Sequence, residues 1–267
     1  MKCEIEVDAN LEIWQILGPR IAQDLTNVGG FKGGGYVVPL EHLSNVTTFV
    51  NFGVGEDFDF EIEQLRKYNA SKIISFDSLV SNKYFIIHFL QGLIKFVMFR
   101  CGIRVVFLRL VLLLKFLFFY SFLFNMKFFK VKVDEFEARQ ILSVLQKNSA
   151  LKVDIEGGEY VILDTILEYK SRLDYIIIEF HSINANIDTI INFVKNLGSE
   201  FFIAHLSLNN RISDINFLPQ TIEVTICRSD TKHDNFVDKL PNDKVDWHYP
   251  NRPIYVLNFI SKITQRI

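Results

Sequence analysis

Cysteine is scarce in this sequence, and the three that occur are widely separated. Cys3, Cys101 and Cys227 are odd in number and show no metal-ligand spacing. They predict free thiols in a reducing compartment rather than a disulfide framework. The first residues, MKCEIEVDAN, lack the apolar run of a signal peptide. The sequence therefore predicts a cytoplasmic protein that is not secreted.

Net charge is small, and no segment is repetitive or of low complexity. The 29 basic and 31 acidic residues leave a formal net charge of -2, which gives no reason to expect a nucleic-acid partner. At 267 residues the chain can bury most of its apolar surface as one α/β domain with an insertion. We predict a single domain over 1–267, in which residues 1–46 cap the sheet.

Acidic residues are missing altogether between Asp77 and Asp134. The same stretch is rich in phenylalanine and contains two apolar runs, at 83–99 and 105–124. It predicts a helical hairpin inserted in the domain over 78–133. Such charge asymmetry in a nearly neutral chain is a local signal. The basic residues in this stretch are Lys83, Lys95, Arg100, Arg104, Arg109, Lys115, Lys127, Lys130 and Lys132.

Three interpretations of the insertion remain open. It is buried against the domain or in a homodimer interface, or it contacts an anionic membrane surface through residues 83–130, or it spans a membrane as a hairpin. The second run is long enough to span. Arg109 and Lys115 oppose this, at roughly 2.5 to 3.5 kcal/mol each near the bilayer centre. With membrane-surface contact, the protein would be cytoplasmic and peripheral to the membrane.

Short apolar runs alternate with helical patterns along most of the chain. The runs at 47–53, 71–77, 151–159 and 173–181 predict buried strands, and helical spacing separates them. EFFIAHLSL and TIEVTICR are separated by loop residues and predict an antiparallel pair at one edge, and YVLNFI predicts one more short strand. We predict an α/β, Rossmann-like fold with a mostly parallel central sheet, helices on both faces, the antiparallel edge pair and the inserted hairpin.

A glycine turn follows the first clear strand. Gly53 and Gly55 lie in NFGVGED, where glycine permits positive φ and close approach of a ligand to a helix N-terminus. Asp77 ends the next strand, 22 residues beyond Gly55, at about the spacing of an acid that accepts ribose hydroxyls. A plain turn with a surface acid is the alternative. Phe58 replaces the third glycine of a nicotinamide fingerprint, which favours a nucleoside cofactor without phosphates, such as S-adenosylmethionine.

Acidic residues also follow the third predicted strand. Asp154 and Glu156 are two residues apart, which places them on one face of an extended chain, and Glu159 follows them. Glu179 and His181 end the neighbouring strand with the same spacing of two. Because the carboxyl ends of parallel strands meet at one edge, we expect these groups to converge. A cationic ligand or a metal ion would relieve the repulsion. The alternatives are a structural histidine, and a helix N-cap and first-turn acid.

These segments together resemble the FkbM family of S-adenosylmethionine-dependent methyltransferases. LKVDIEGGEYVILDTI is similar to that family's Lys-x-Asp-x-Glu-Gly-x-Glu-Tyr signature and the helix after it. NFGVGEDFDFE is similar to its glycine-turn segment, IIIEFHS to its next strand, and GGGYVVP to an upstream element. LPNDKVDWHYPNRP is similar to a tail found in some members. The resemblance covers about 29–77 and 151–253, and it departs from the pattern at Gly33 and Asn51, where relatives often carry acids.

The resemblance implies a class I methyltransferase fold and an enzyme that O-methylates a hydroxyl of a sugar, glycan or other small molecule. A hydroxyl acceptor needs a general base, for which His181 is the first candidate and Asp154 or Glu156 the second. A divalent metal held by these acids is a further route, although no motif indicates one. The predicted cofactor-binding residues are Gly53, Val54, Gly55, Asp57, Asp77, Ser78 and Asp154.

Two other function classes remain open. A catalytically inactive, membrane-associated or scaffolding protein on the same fold would account for the phenylalanine-rich insertion. A nicotinamide oxidoreductase is disfavoured by Phe58. Titrations with S-adenosylmethionine and with NAD distinguish all three classes.

Overall fold

The computed structural model describes residues 4–6, 12–29, 35–68, 70–122, 125–208, 219–229, 237, 239–240 and 254–258. Its helices are α1 (Glu12–Leu17), α2 (Leu40–Asn45), α3 (Asp59–Lys67), α4 (Asn82–Val97), α5 (Ile103–Leu117), α6 (Glu135–Ser143), α7 (Glu159–Tyr169) and α8 (Ile183–Leu197). Its strands are β1 (Glu4–Glu6), β2 (Leu25–Val28), β3 (Tyr36–Pro39), β4 (Thr48–Phe52), β5 (Lys72–Phe76), β6 (Met126–Phe129), β7 (Ser149–Val153), β8 (Leu173–His181), β9 (Phe201–Leu208), β10 (Thr221–Arg228), β11 (Lys239–Leu240) and β12 (Ile254–Asn258).

A seven-stranded central sheet organises the described residues. Its strand order is β6-β5-β4-β7-β8-β10-β9. Neighbouring strands from β6 to β8 run parallel, whereas β10 runs antiparallel to both β8 and β9. The order reverses between β4 and β7, which is the point where open α/β sheets bind ligands beyond the carboxyl ends of their strands. This is the Rossmann-like class I methyltransferase architecture, and the predicted fold class is confirmed.

Alternation along the central strands supplies the two faces of the sheet. Val50 and Leu151 belong to a core cluster that α1, α6, α7 and α8 complete. Phe49 and Ala150, one residue earlier, belong to a second cluster on the other face, which is completed by α2, α3 and β3. Successive strand side chains point to opposite faces, so an apolar run becomes a strand buried on both sides.

Most predicted elements are found within a few residues of their expected bounds, and β8 and β10 match the predicted segments at both ends. The third strand ends earlier than predicted, at Val153, because the chain turns through left-handed residues at Glu156 (φ 51°) and Gly157 (φ 97°). β6 was not predicted. Its sequence, MKFF, lies in the basic, phenylalanine-rich stretch, yet it pairs with β5 as the outer strand of the sheet.

The chain leaves the sheet after β5 and forms the helices α4 and α5, which contact each other along their length. A π-helical turn at Phe118–Phe122 follows and leads into β6. No helix among the described ranges combines the length and apolar character needed to cross a membrane. We call α4, α5 and their connection the hairpin.

Smaller sheets accompany the central one. β2 and β3 form an antiparallel pair, and β12, the last predicted strand, lies between β1 and β11. Thr225 of β10 donates a hydrogen bond to the Val37 carbonyl at 2.7 Å, which joins β3 to the sheet face. Several features discussed above lie outside the described residues: Cys3, Gly33 and the tail at 241–253.

Candidate active site

The predicted site residues follow one row of paired residues across the sheet. Phe76, Phe52, Val153 and Ile178 are register partners on β5, β4, β7 and β8. The next residue on each strand therefore lies at the carboxyl edge, on both sides of the point where the strand order reverses. These next residues are Asp77, Gly53, Asp154 and Glu179.

Gly53 is required by close approach between two strands. Its φ is 91°, and a Cβ placed on it would lie 1.7 Å from the carbonyl oxygen of Asp154. The Gly53 amide donates to the Phe76 carbonyl at 2.9 Å, and the Asp154 amide donates to the Phe52 carbonyl at 2.8 Å. The backbone of Gly53 is packed against the backbone of Asp154, so glycine is needed at position 53 for the fold, whether or not a ligand binds there.

Gly55 differs from Gly53 in its surroundings. Its φ is 66°, and a Cβ placed on it would meet no described atom within 4 Å. Gly55 is exposed and leaves open space beside the turn. Positive φ without a neighbouring atom fits a turn that a ligand approaches. The open part of the glycine turn is therefore at Gly55.

Asp77 closes the glycine turn through its carboxylate. One oxygen accepts the amides of Val54 at 3.0 Å and Gly55 at 3.1 Å, and the other accepts those of Leu79 at 2.6 Å and Val80 at 2.9 Å. A carboxylate offers about four acceptor positions, and backbone amides take them all here. Asp77 can therefore accept ribose hydroxyls only if it first releases the amides of Val54 and Gly55.

The other predicted cofactor residues near the turn have different environments. Val54 places its side chain in an apolar cluster with Phe58 and Phe116, so only its backbone faces Asp77. Asp57 is exposed and accepts the Asp59 amide at 3.1 Å. Ser78 is exposed in the loop after β5. Phe58 is almost fully buried against the hairpin, which gives this departure from the nicotinamide fingerprint a structural reason.

A buried lysine lies at the centre of the site, on β7. The Lys152 ammonium donates to the Gly53 carbonyl at 2.8 Å and to the Asn51 side chain at 3.4 Å. It lies 4.0 Å from Glu61 and 3.9 Å from Asp154. Asn51 in turn donates to Glu61 at 2.5 Å. Relatives of the resembled family often carry an acid at position 51, and here Glu61 of α3 provides a buried acid beside that position.

Acidic groups outnumber cations around Lys152. Burial raises the pKa of Glu61 to about 7, with Lys152 opposing the rise. Burial, and next the charges of Asp154 and Glu223, raise the pKa of Glu179 to about 9, against opposition from His181 and Lys152. Glu179 and Glu223 face each other across β8 and β10. Glu61 and Glu179 therefore keep their protons at a higher pH than isolated carboxylates do. This is expected where buried acidic groups have too few cations nearby to balance their charge.

His181 lies among three carboxylates, of which Glu179 is on the same strand and Glu156 and Glu159 follow β7. Its Nε2 is 3.4 Å from Glu156 and 3.7 Å from Glu179, and its Nδ1 is 3.3 Å from Glu159. Burial lowers its pKa, but the Glu159 hydrogen bond and the charges of Glu179, Glu159 and Asp154 outweigh burial and raise the pKa to about 9. His181 is thus an imidazolium at neutral pH in this state.

Glu159 positions the histidine. It is fully buried at the start of α7, where its carboxylate accepts the amides of Gly157 at 2.8 Å and His181 at 2.7 Å. Tyr160 donates to the His181 carbonyl. The N-cap of α7 is Gly158, without a side-chain cap, so Asp154 and Glu156 do not cap this helix.

Asp154, Glu156 and His181 each offer one ligand atom, and these atoms lie within 4.8 Å of one another. Asp154 also accepts the Tyr36 hydroxyl at 3.0 Å. The three side chains could hold a divalent cation, although such acidic groups are common without one. A separate cavity of about 660 Å³ between α3 and α5 is lined by none of the predicted site residues.

No protein-family model matches the chain, and no curated protein matches it either. Among solved structures, a putative rRNA methylase from Clostridium thermocellum matches with a TM-score of 0.40 and 11% identity over 70% of this chain and 93% of that chain. Precorrin-6y C5,15-methyltransferase from Geobacter metallireducens matches with a TM-score of 0.39 and 12% identity over 71% and 86%.

A putative tRNA methyltransferase from Streptococcus pneumoniae, in complex with S-adenosyl-L-methionine, matches with a TM-score of 0.34 and 12% identity over 72% and 71%. These TM-scores are low, so the fold assignment rests on the strand order and register described above.

Sequence reasoning missed Lys152, Glu61, Tyr36 and the positioning role of Glu159. Lys152 carried a signal, because a single lysine inside an apolar central strand must find buried partners. Glu61 carried none, because an acid in the first turn of a helix is usually a surface residue.

Proposed function

We propose that the chain is an S-adenosylmethionine-dependent methyltransferase that transfers a methyl group to a hydroxyl of a sugar or another small molecule, as the FkbM-like motif implies. The observation that carries the proposal is the surplus of carboxylates at the strand-order reversal. Among the described residues, Lys152 and His181 are the cations that lie within 4.0 Å of Asp154, Glu156 or Glu179. A sulfonium is a cation, and such a ligand relieves this surplus.

The glycine turn fits the adenosyl part of this cofactor. Gly55 leaves open space at the N-terminal side of α3, and Asp77 lies directly beneath it. The amides of Val54 and Gly55 are the groups that Asp77 would release on taking up ribose hydroxyls. Phe58, which stands in place of the third glycine of a nicotinamide fingerprint, packs its ring against Phe116 of the hairpin.

S-adenosylmethionine, when bound, supplies a methyl carbon activated for in-line displacement. The residues of the chain align the acceptor and remove its proton. Glu159 accepts from Nδ1 of His181, which leaves Nε2 free to accept the proton once the imidazole is neutral. Asp154 and Glu156 face the same space and remain the second candidates for the base.

Cofactor selectivity tests the proposal. We expect calorimetry to detect binding of S-adenosylmethionine and no binding of NAD. Asp154→Asn should weaken S-adenosylmethionine about tenfold but leave S-adenosylhomocysteine, which lacks the positive charge, within a factor of about two, in line with roughly 1.4 kcal/mol for one charge interaction. Asp188→Asn, an exposed acid on α8, is the matched control. If neither S-adenosylmethionine nor S-adenosylhomocysteine bound, the result would contradict the proposal and favour a catalytically inactive protein on the same fold.

The pH profile of methyl transfer tests the role of His181. Because only the neutral imidazole accepts a proton, kcat/KM should rise with pH and level off above about 9, the raised pKa of His181. His181→Gln should lower kcat/KM about a hundredfold or more and abolish the rise. His88→Gln on α4 should leave both unchanged. A profile that keeps its rise in His181→Gln would assign the base to another group.

A further inference from the structure

The hairpin has one side that belongs to the core. Phe85 of α4 and Phe116 of α5 are buried together with Phe58 at the start of α3. Tyr84 donates to Glu56, and Lys115 forms an ion pair with Asp59. These contacts fix the base of the hairpin against the domain beside the glycine turn.

The other side of the hairpin is apolar and open to solvent. Exposed apolar residues recur every three or four positions along both helices, which makes one continuous stripe on each. No described residue covers either stripe. The stripe on α4 consists of Ile86, Leu90, Ile94 and Val97, and the stripe on α5 and the following turn consists of Ile103, Phe107, Val111, Leu114 and Phe118.

Exposure is highest where the two helices connect. Val97 is 72% exposed, Phe99 is 98% exposed and Ile103 is 60% exposed. Phe99 also has a positive φ of 55°, which is unfavourable for an aromatic residue. The described part of the chain therefore leaves most of the apolar side-chain surface at the tip uncovered.

Basic residues surround this tip. Lys95, Arg100 and Arg104 are exposed, and none forms an ion pair with a described residue. Two other cations are used inside the structure, since Lys115 pairs with Asp59 and Arg109 donates to the His88 carbonyl at 2.7 Å. Of the other basic residues between Asp77 and Asp134, three therefore lie at the tip. The remaining four lie at the start of α4 and in or after β6, namely Lys83, Lys127, Lys130 and Lys132.

The rest of the chain has the opposite charge. Nine of its 29 basic residues and none of its 31 acidic residues lie between Asp77 and Asp134, so 20 basic and 31 acidic residues remain elsewhere. An anionic surface would attract the hairpin and repel the rest of the chain, which fixes one orientation. A second copy of the hairpin would instead bring like charges together.

We propose that the hairpin docks the protein on an anionic lipid bilayer, with the 97–103 connection and the two apolar stripes in the interfacial region and Lys95, Arg100 and Arg104 among the headgroups. An apolar face flanked by Lys and Arg is the composition of interfacial elements that lie in the membrane surface without crossing it. Each basic residue near an anionic surface contributes about fivefold to binding, so the three contribute about a hundredfold. This inference does not depend on the proposed methyl transfer.

Flotation of the full chain with vesicles tests the proposal. We expect it to float with phosphatidylcholine vesicles that contain phosphatidylserine, to float poorly with phosphatidylcholine alone, and to lose binding as ionic strength rises. The triple variant Lys95→Gln, Arg100→Gln, Arg104→Gln should bind about a hundredfold more weakly. The matched triple Arg66→Gln, Lys72→Gln, Lys147→Gln removes three exposed cations elsewhere and should bind like the unchanged chain.

The apolar contribution is tested separately. Val97→Ser, Phe99→Asn, Ile103→Ser removes apolar tip residues with little expected loss of stability, because all three are exposed and Asn tolerates the backbone at position 99. It should abolish flotation, whereas Val144→Ser with Val161→Ser, two exposed valines elsewhere, should not. Equal unfolding temperatures exclude misfolding as the cause.

Three results would overturn the proposal. The first is absence of flotation with anionic vesicles. The second is binding that neither hairpin triple weakens. The third is a dimer in sedimentation equilibrium that the apolar triple dissociates, without vesicle binding, since the stripes would then face a second copy of the chain.

Discussion

Gly53→Ala is expected to destabilise the protein by about 4 kcal/mol, the sum of backbone strain and overpacking. The new Cβ would lie 1.7 Å from the carbonyl oxygen of Asp154 and 2.6 Å from its carbonyl carbon, so β4 and β7 would have to separate at their carboxyl ends. The φ of 91° adds strain for any residue with a side chain. Thermal unfolding should show a decrease of about 10 °C in the midpoint.

Gly55→Ala is the matched control for this prediction. It also has positive φ, 66°, but its Cβ would meet no described atom within 4 Å. Only the left-handed backbone conformation is penalised, at about 1 kcal/mol. If both variants lost the same stability, the close approach of the Gly53 turn to Asp154 would not be the reason for glycine at position 53.

The free energy of unfolding is expected to fall by several kcal/mol between pH 5 and pH 9, because the folded site holds protons that the unfolded chain releases. The pKa of Glu179 is raised from 4.5 to about 9, that of Glu61 from 4.5 to about 7, and that of His181 from 6.5 to about 9. Each raised pKa stabilises the folded state fully below the group's unfolded pKa. The stabilisation is lost as pH rises through the folded pKa.

Glu179→Gln should remove much of this slope, because glutamine resembles the protonated acid. At pH 9 the variant should exceed the unchanged chain in stability by several kcal/mol, and at pH 5 the two should be nearly equal. Glu135→Gln, an exposed acid in a surface pair with Arg139, should not change the slope. Urea denaturation at several pH values measures both. A stability profile that is flat or rises toward pH 9 would contradict the carboxylate surplus.

The protons held by Glu179 and His181 affect both the stability of the folded state and the proposed methyl transfer. Below pH 9 the imidazolium of His181 and the protonated Glu179 favour the folded state, but a protonated histidine accepts no proton from a hydroxyl. Methyl transfer is therefore expected to be fastest where the folded state has lost part of this stabilisation. Active sites commonly carry such a cost.

The fold and the edge of the sheet that carries the site followed from the sequence because they depend on local patterns. Apolar runs that alternate with helical spacing specify parallel strands buried on both faces. Parallel strands in register then bring Asp77, Gly53, Asp154 and Glu179 to one edge, whatever the loops do. β6 was not predicted, because its four residues adjoin a long apolar stretch in which no alternation of apolar and polar residues marks a strand.

The contacts within the site did not follow from the sequence. Asp154 and Glu156 were expected to face alike along an extended strand, but β7 ends at Val153 and the chain turns at Glu156 and Gly157. Their closeness to His181 therefore depends on this turn and not on strand periodicity. The role of Asp77 in binding four backbone amides also depends on how two loops meet. Such contacts join residues far apart in the chain, so no periodicity records them.

By itself the sequence determined the layer architecture, the glycine turn, the acidic strand ends and the concentration of basic and apolar residues at 78–133. The tertiary structure alone decided that Lys152 and Glu61 form a buried pair, that Glu159 orients His181, and that the hairpin buries one side and exposes the other. Periodicity specifies which faces are apolar, since burial drives folding wherever a face repeats. Only three-dimensional packing specifies which charged groups share one low-dielectric space, and their pKa values follow from that.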